Sequence, residues 1–238
     1  MTQTTEPKYP YRPLNANNQP QPMPRTLSGC FASIPVRQLS SKEYLFTEGD
    51  PKRFLYQIET GAIMTSHGLA TGKRHVLNFA FPGDFVGLEA KAMHTCDAQA
   101  ISETRLRCLS AVSAQRHVRE CPEIASEMHE VLSQNYENLQ KHAMTISRLD
   151  ATGRVATFLL ALATRSGHCT TEPTNIHLPM LRIDIADYLS ISVETVSRAL
   201  SDLKRLKAIN LIGYHEVELT NLTALVDRTF GPLDSSYI

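Results

Sequence analysis

Between Arg182 and Ile209 the chain reads RIDIADYLSISVETVSRALSDLKRLKAI, two helix-periodic segments separated by Ser190 and Ile191 before Ser192 opens the second. So short a junction belongs to a helix-turn-helix, in which the first helix carries and orients the second. At about 100° per residue, with Glu194 as zero, Ser197 falls near ~300°, Arg198 near ~40° and Ser201 near ~340°. By the same count Val196, Ala199, Leu200 and Leu203 cluster between about 140° and 240°, on the opposite side. One row anchors and the other faces outward. Ser192 stands where an N-cap should be, and Ile183, Ile185, Ala186 and Leu189 supply the apolar positions of the preceding helix.

A helix presented to a major groove needs side chains that match base edges. Arg reaches guanine O6 and N7, Glu accepts from cytosine N4, and Ser bonds to several bases. Glu194, Ser197 and Arg198 form that set, with Ser192, Val193 and Thr195 completing the first turn and Arg182 placed for a phosphate. The competing account is an ordinary solvated face, with Glu194 merely favouring the positive end of the helix. The tight turn and the basic run Lys204, Arg205 and Lys207 weigh toward nucleic acid.

The segment IADYLSISVETVSRALSDLKR resembles the DNA-binding motif of the CRP/FNR superfamily of bacterial transcription regulators, and VETVSR resembles its FNR and FixK branches. LFTEGDPKRFLYQIETGAI and FPGDFVGLEA resemble the amino-terminal β-roll of that family, and RLDATGRVATFLLALA its join between dimer helix and DNA-binding domain. The resemblance implies an α+β chain: an antiparallel β-roll of the cyclic-nucleotide-binding kind, a long dimerisation helix and a carboxy-terminal winged helix-turn-helix. It further implies a homodimer on a palindrome of the TTGAT-N4-ATCAA type, with Arg198 on the guanine, Glu194 on the facing cytosine and Ser197 near the outer thymines. RNA polymerase is the implied partner of the loop Ser166 to Pro173. The family usually has Gly where this chain has Ser190.

The expected domains are a Pro-rich tail over 1–28, the β-roll over 29–118, the dimer helix over 119–149 and the winged helix-turn-helix over 150–238. Residues 1–25 hold six of the thirteen prolines and almost no apolar side chains, a composition that predicts disorder. They lack the apolar core of a signal peptide. The longest apolar run, Val155 to Ala163, falls short of the ~20 residues of a membrane span, so a cytoplasmic protein with no membrane partner is expected. Formal net charge is zero, so any DNA affinity must come from where Arg and Lys are placed.

Between Tyr44 and Leu109, six of the eleven glycines punctuate short segments rich in β-branched and aromatic residues, the pattern of an antiparallel barrel or sandwich. In HVLNFAF, Leu77, Phe79 and Phe81 are expected on one buried face. Where relatives that bind cyclic AMP carry a Glu and an Arg-Ser pair, an ungapped count places Leu88, Ala98 and Gln99, so a cyclic nucleotide is not expected. Cys30, Cys96, Cys108, Cys121 and Cys169 are scattered, and the amino-terminal cysteine cluster of FNR is missing, which argues against an iron–sulfur centre. Cys108 is expected to be a buried, inert thiol. His94 and Cys96 suggest haem or a metal, but a His-x-Cys alone defines no ligand geometry, and no cofactor is expected.

After Pro122, Ala125, Met128, Leu132, Asn135, Leu139, His142, Ile146 and Leu149 recur at spacings of three and four, a heptad seam that predicts pairing with a second copy. Packing of the same stripe on the β-roll is the competing account. The hinge is expected near Leu149 to Thr152, and INLIGYHEVELT reads as a hairpin wing turning near Gly213. No nucleophile, base and orienting group form a constellation, so an enzyme is the least expected class. The alternative to a DNA-binding regulator is a module in which binding of a small molecule, or redox sensing, by the β-roll dominates.

Overall fold

The computed structural model describes residues 24–70, 72–165 and 173–229. Eight strands, Val36–Leu39 (β1), Tyr44–Phe46 (β2), Phe54–Thr60 (β3), Ile63–Gly68 (β4), Arg74–Ala80 (β5), Phe85–Val86 (β6), Asp97–Ala100 (β7) and Thr104–Ser110 (β8), build two four-stranded sheets. Their orders are β1-β8-β3-β6 and β2-β7-β4-β5, and every pairing is antiparallel. Between the sheets lie Leu39, Ile58, Ile63, Ala98 and Leu106, all at most 1% exposed.

The expected buried row of β5 is corrected by a bulge. Pairing steps from Thr65 opposite Asn78 to Ser66 opposite Val76, leaving Leu77 without a partner. One extra residue swaps the side to which its neighbours point. Leu77 is therefore 42% exposed, while Val76 at 0% and Phe79 at 4% are buried, with Phe81 half-buried.

Helix α1 (Ala111–Glu120) leaves the roll, with Ser110 capping it by accepting from Ser113 N. Cys121 is extended, and Pro122, whose missing N–H costs nothing at the first helical position, starts α2 (Pro122–Arg148). The expected tail boundary shifts: the 3₁₀ turn Ser28–Phe31 and Leu27, 2% exposed, pack on the start of α2, and Leu27 N donates to Glu127 Oε2 at 2.6 Å. The rest of the expected disordered segment lies outside the described residues.

Along α2, Leu132 (45% exposed), Tyr136 (61%) and Leu139 (61%) form an uncovered apolar row, with Asn135 exposed beside it and Ile146 half-buried. Two residues of the expected seam are engaged within the chain instead. Met128 packs on the cluster holding Phe31 and Ile124, and the His142 ring stacks on Tyr188 with centroids 4.1 Å apart. The heptad count could not separate them, because periodicity gives the face of the helix, while which part of that face the chain's own segments cover is decided by tertiary packing.

Leu149 and Asp150 separate α2 from α3 (Ala151–Arg165). Arg154 bridges the break, donating to Leu149 O at 3.0 Å and to Leu189 O at 3.1 Å. Strand β9 (Thr174–His177), α4 (Arg182–Leu189), α5 (Val193–Arg205), β10 (Ile209–Leu211), β11 (Glu216–Leu219) and α6 (Leu222–Val226) complete the described chain. The last three strands form an antiparallel sheet ordered β10-β11-β9, its hairpin turning over residues 212–215. The polymerase-facing loop expected at Ser166 to Pro173 falls, but for Pro173, outside the described residues, as does Cys169. Among the described residues no helix is long and apolar enough to cross a membrane.

The two halves share one apolar cluster, in which Met64, Val76 and Phe79 of the roll join Phe158, Leu159 and Leu189. Arg74 on β5 clamps this contact by pairing with Asp184, and its Nε lies 2.9 Å from Asp187 on α4. Asp184 is 5% exposed, and its second oxygen caps α4 by accepting from Leu181 N at 2.8 Å. Ile183, expected among the inward residues of α4, is 44% exposed: the inward row runs through Asp184, Ile185, Ala186 and Leu189.

Candidate nucleic-acid interface

Helix α5 is held by its back. Val196, Ala199, Leu200 and Leu203 are at most 3% exposed and join the cluster shared with α3 and α4. Its front carries Glu194, Arg198 and Ser201 exposed, with Ser197 half-buried between them. The start is fixed by Ser192, whose Oγ accepts from Thr195 N at 3.2 Å. The Ser192 hydroxyl, seconded by the Glu194 backbone N–H, holds the Glu194 carboxyl below its ordinary value, so it meets a partner as an acceptor.

The turn into α5 places Ser190 at φ 54°, ψ 44°, the left-handed region, with its N–H on Ala186 O. The geometry that the family meets with Gly is thus kept with Ser at a conformational cost. Arg182, at the start of α4, reaches across the turn: Nη1 donates to Ser197 Oγ at 3.2 Å, and the guanidinium carbon sits 5.7 Å from the Tyr214 ring centroid. Arg198 Nη2 donates to Thr195 Oγ1 at 3.1 Å. Val193 is half-buried against the core, and Thr195 is half-buried beneath Arg198.

The structure therefore brings six of the expected residues, Arg182, Ser192, Glu194, Thr195, Ser197 and Arg198, into one surface, with Val193 at its inner edge. Sequence reasoning missed Tyr214, 82% exposed at the wing tip. An aromatic residue in the hairpin turn was the available signal, but only the fold places it over Arg182. It also missed Arg74, which lies 110 positions from the Asp184 it anchors.

The β-roll is built as a core. His94 is 3% exposed with its ring 3.5 Å from that of Phe46, and its Nδ1 faces Glu89 Oε2 at 3.5 Å. Among the described residues no group of three His, Cys, Asp or Glu is placed to hold a metal ion. Burial above all, then neighbouring carboxylates, pushes the Cys96 thiol up to about 11. Burial, then Cys121 and Glu127, does the same to Cys30, also to about 11. Cys108, expected to be a buried, inert thiol, is half-buried, and its thiol too is raised by desolvation. Ala98, fully buried, and Gln99, whose amide donates to Lys42 O at 2.8 Å, occupy the positions for a cyclic phosphate. A methyl group and a committed amide offer no cation to that monoanionic phosphodiester.

A winged helix-turn-helix anchored to a β-roll through a long helix is the architecture of a DNA-binding transcription regulator. Residues 153–228 match the Crp-like helix-turn-helix domain, and residues 36–120 match the cyclic nucleotide-binding domain. The nitrogen fixation regulation protein FixK of Rhizobium meliloti is 34% identical over 76% of this chain and 81% of its own length. The FixK protein of Bradyrhizobium diazoefficiens is 32% identical over 73% of each chain. The FixK2 structure from Bradyrhizobium japonicum superposes at a TM-score of 0.77, with 30% identity, covering 84% of this chain and 99% of that one. The chain belongs to the CRP/FNR superfamily, in its FixK-like branch. It is a transcription regulator and not an enzyme.

Proposed function

We propose that two copies of the chain pair along the Leu132, Tyr136 and Leu139 row of α2, with Asn135 at its border, and insert their α5 helices into successive major grooves. A two-fold assembly of this kind reads a pseudo-palindrome whose half-sites lie about 34 to 36 Å apart. The site is of the TTGAT-N4-ATCAA type, with Arg198 on the guanine, Glu194 on the cytosine of the facing strand and Ser197 near the outer thymines. Arg182 holds a phosphate and fixes the approach. The dimer acts as an activator in oxygen- or redox-linked gene control and meets RNA polymerase. The names of its relatives, nitrogen fixation regulation proteins and an anaerobic regulatory protein of Pasteurella multocida, support that setting.

The observation that carries the reading is the division of α5: Glu194 and Arg198 stand exposed while the four residues behind them are at most 3% exposed. Fluorescence anisotropy with the palindrome, a single half-site and a scrambled duplex at one salt concentration tests it. The palindrome should bind one dimer and bind it tightest. Equal affinity for all three duplexes ends the proposal.

A further inference from the structure

Where α2, α3, α4 and β5 meet, the chain forms a half-open pocket of about 420 Å³. That lies within the ~300–1,000 Å³ usual for small-molecule sites. Its walls are rings: Phe79, Phe158 and Tyr188 lie with centroids 5.4 to 6.1 Å apart, and His142 stacks on Tyr188. Polar side chains also line it, among them Asn78, Gln134, Asn138 and Arg165, the last already paired with Asp84, and two others bear on what it can hold. His142 Nε2 is buried without a hydrogen-bond partner among the described residues. Lys141 lines the cavity, and no carboxylate among the described residues pairs with its ammonium.

The cavity faces away from the proposed dimer contact. With Leu132 as zero, Tyr136 and Leu139 fall within about 40° of it, whereas Gln134, Asn138, Lys141 and Thr145 fall between about 180° and 240°, with His142 at about 280° beside the Asn135 border. Pairing along the apolar row therefore leaves this side open. A buried imidazole nitrogen without a partner costs free energy until something bonds to it. Aromatic walls favour a flat ring system by stacking. An unpaired ammonium beside them favours one negative charge.

We propose that this cavity is a binding site for a small planar aromatic anion, its rings among Phe79, Phe158 and Tyr188, its charge on Lys141 and a polar atom on His142 Nε2. The occupant touches β5, α2, α3 and α4 at once, so it fixes the roll relative to the helix-turn-helix. The site does not depend on which DNA the protein reads.

The full-length protein is titrated with 8-anilinonaphthalene-1-sulfonate, whose flat naphthalene bears one sulfonate, and its fluorescence followed. One saturable site per chain is expected, and Lys141→Gln should weaken it about tenfold, as the loss of a charge-assisted hydrogen bond implies. Ala161, on the exposed rim, gives a second variant. Ala161→Trp should fill the cavity and abolish the site. Because the chain has no tryptophan, the emission of the introduced indole shows directly that it is buried there. Unchanged dye affinity in both variants, with melting temperature preserved and the indole emission blue-shifted, would place the dye elsewhere and overturn the proposal.

Discussion

Arg182 Nη1 donates to Ser197 Oγ across 3.2 Å, so the first helix of the helix-turn-helix already holds a side chain of the reading helix. Among the described residues Arg198 donates only to Thr195 Oγ1, on its own helix, at 3.1 Å, and its exposed guanidinium can leave that neighbour for a base. Arg198→Ala should therefore cost about 1 to 3 kcal/mol on the specific site and relax preference at the guanine. Arg182→Ala should weaken specific and scrambled duplexes alike and lower the salt slope by about one. Titrations at several salt concentrations distinguish the two; a uniform loss for Arg198→Ala would refute its assignment.

Ser190 carries positive φ at the turn, where a Cβ costs about 1–2 kcal/mol, while glycine there loses about 0.5–1 kcal/mol of chain entropy. The difference predicts that Ser190→Gly stabilises the protein by about 0.5–1 kcal/mol and raises Tm by about 2 °C. Differential scanning calorimetry measures it. A lower Tm would mean that the serine hydroxyl contributes something the turn geometry does not show.

What could be read from the chain before its structure follows a physical division. The two rows of α5 were legible because helical periodicity is local: Val196 and Leu203 are buried for the same reason that they lie seven residues apart. The Ser192 cap was legible likewise. Leu77 was not, because a bulge is decided by the partner strand, and nothing within HVLNFAF announces that β4 skips one residue of it. Arg74 and Asp184, and the stack of His142 on Tyr188, join segments far apart in sequence, and their pairing exists only once the roll and α2 have docked on the helix-turn-helix.

Burial above all, with His75 nearby, lowers His142 from its ordinary 6.5 to about 4. The folded chain therefore refuses a proton that the unfolded chain accepts, so stability falls as pH drops from about 6.5 toward 4 and is fully present above that window. His142→Phe keeps a ring on Tyr188 and should flatten this part of the profile. Thermal melts of both proteins between pH 7.5 and 4.5 test it; parallel profiles would show that His142 titrates freely.

Cys30 and Cys96 have thiols pushed up to about 11, chiefly by desolvation, and both are buried. Thiolate is the reactive form, so neither should react quickly near neutral pH. Iodoacetamide at pH 7.5, followed by peptide mass spectrometry, should leave both unmodified in the folded protein and label both in urea. Rapid labelling of Cys96 in the folded protein would reopen redox sensing by the roll.

Leu139 is 61% exposed at the end of the α2 row, next to Tyr136, also 61% exposed. Burying a leucine contributes about 1.5–3 kcal/mol, and a symmetric pair buries it twice, so each dimer gains about 3–6 kcal/mol from this position. Leu139→Glu forfeits that gain and sets two carboxylates against each other, which should weaken the dimer more than about a hundredfold. Sedimentation velocity at micromolar concentration should then show a monomer with unchanged circular dichroism, bound to a half-site as weakly as the parent but no longer favouring the palindrome. Asn135→Leu should act in the opposite direction, since a polar residue bordering such a seam lowers affinity while fixing register. A Leu139→Glu protein that stays dimeric would move the interface off this row of α2.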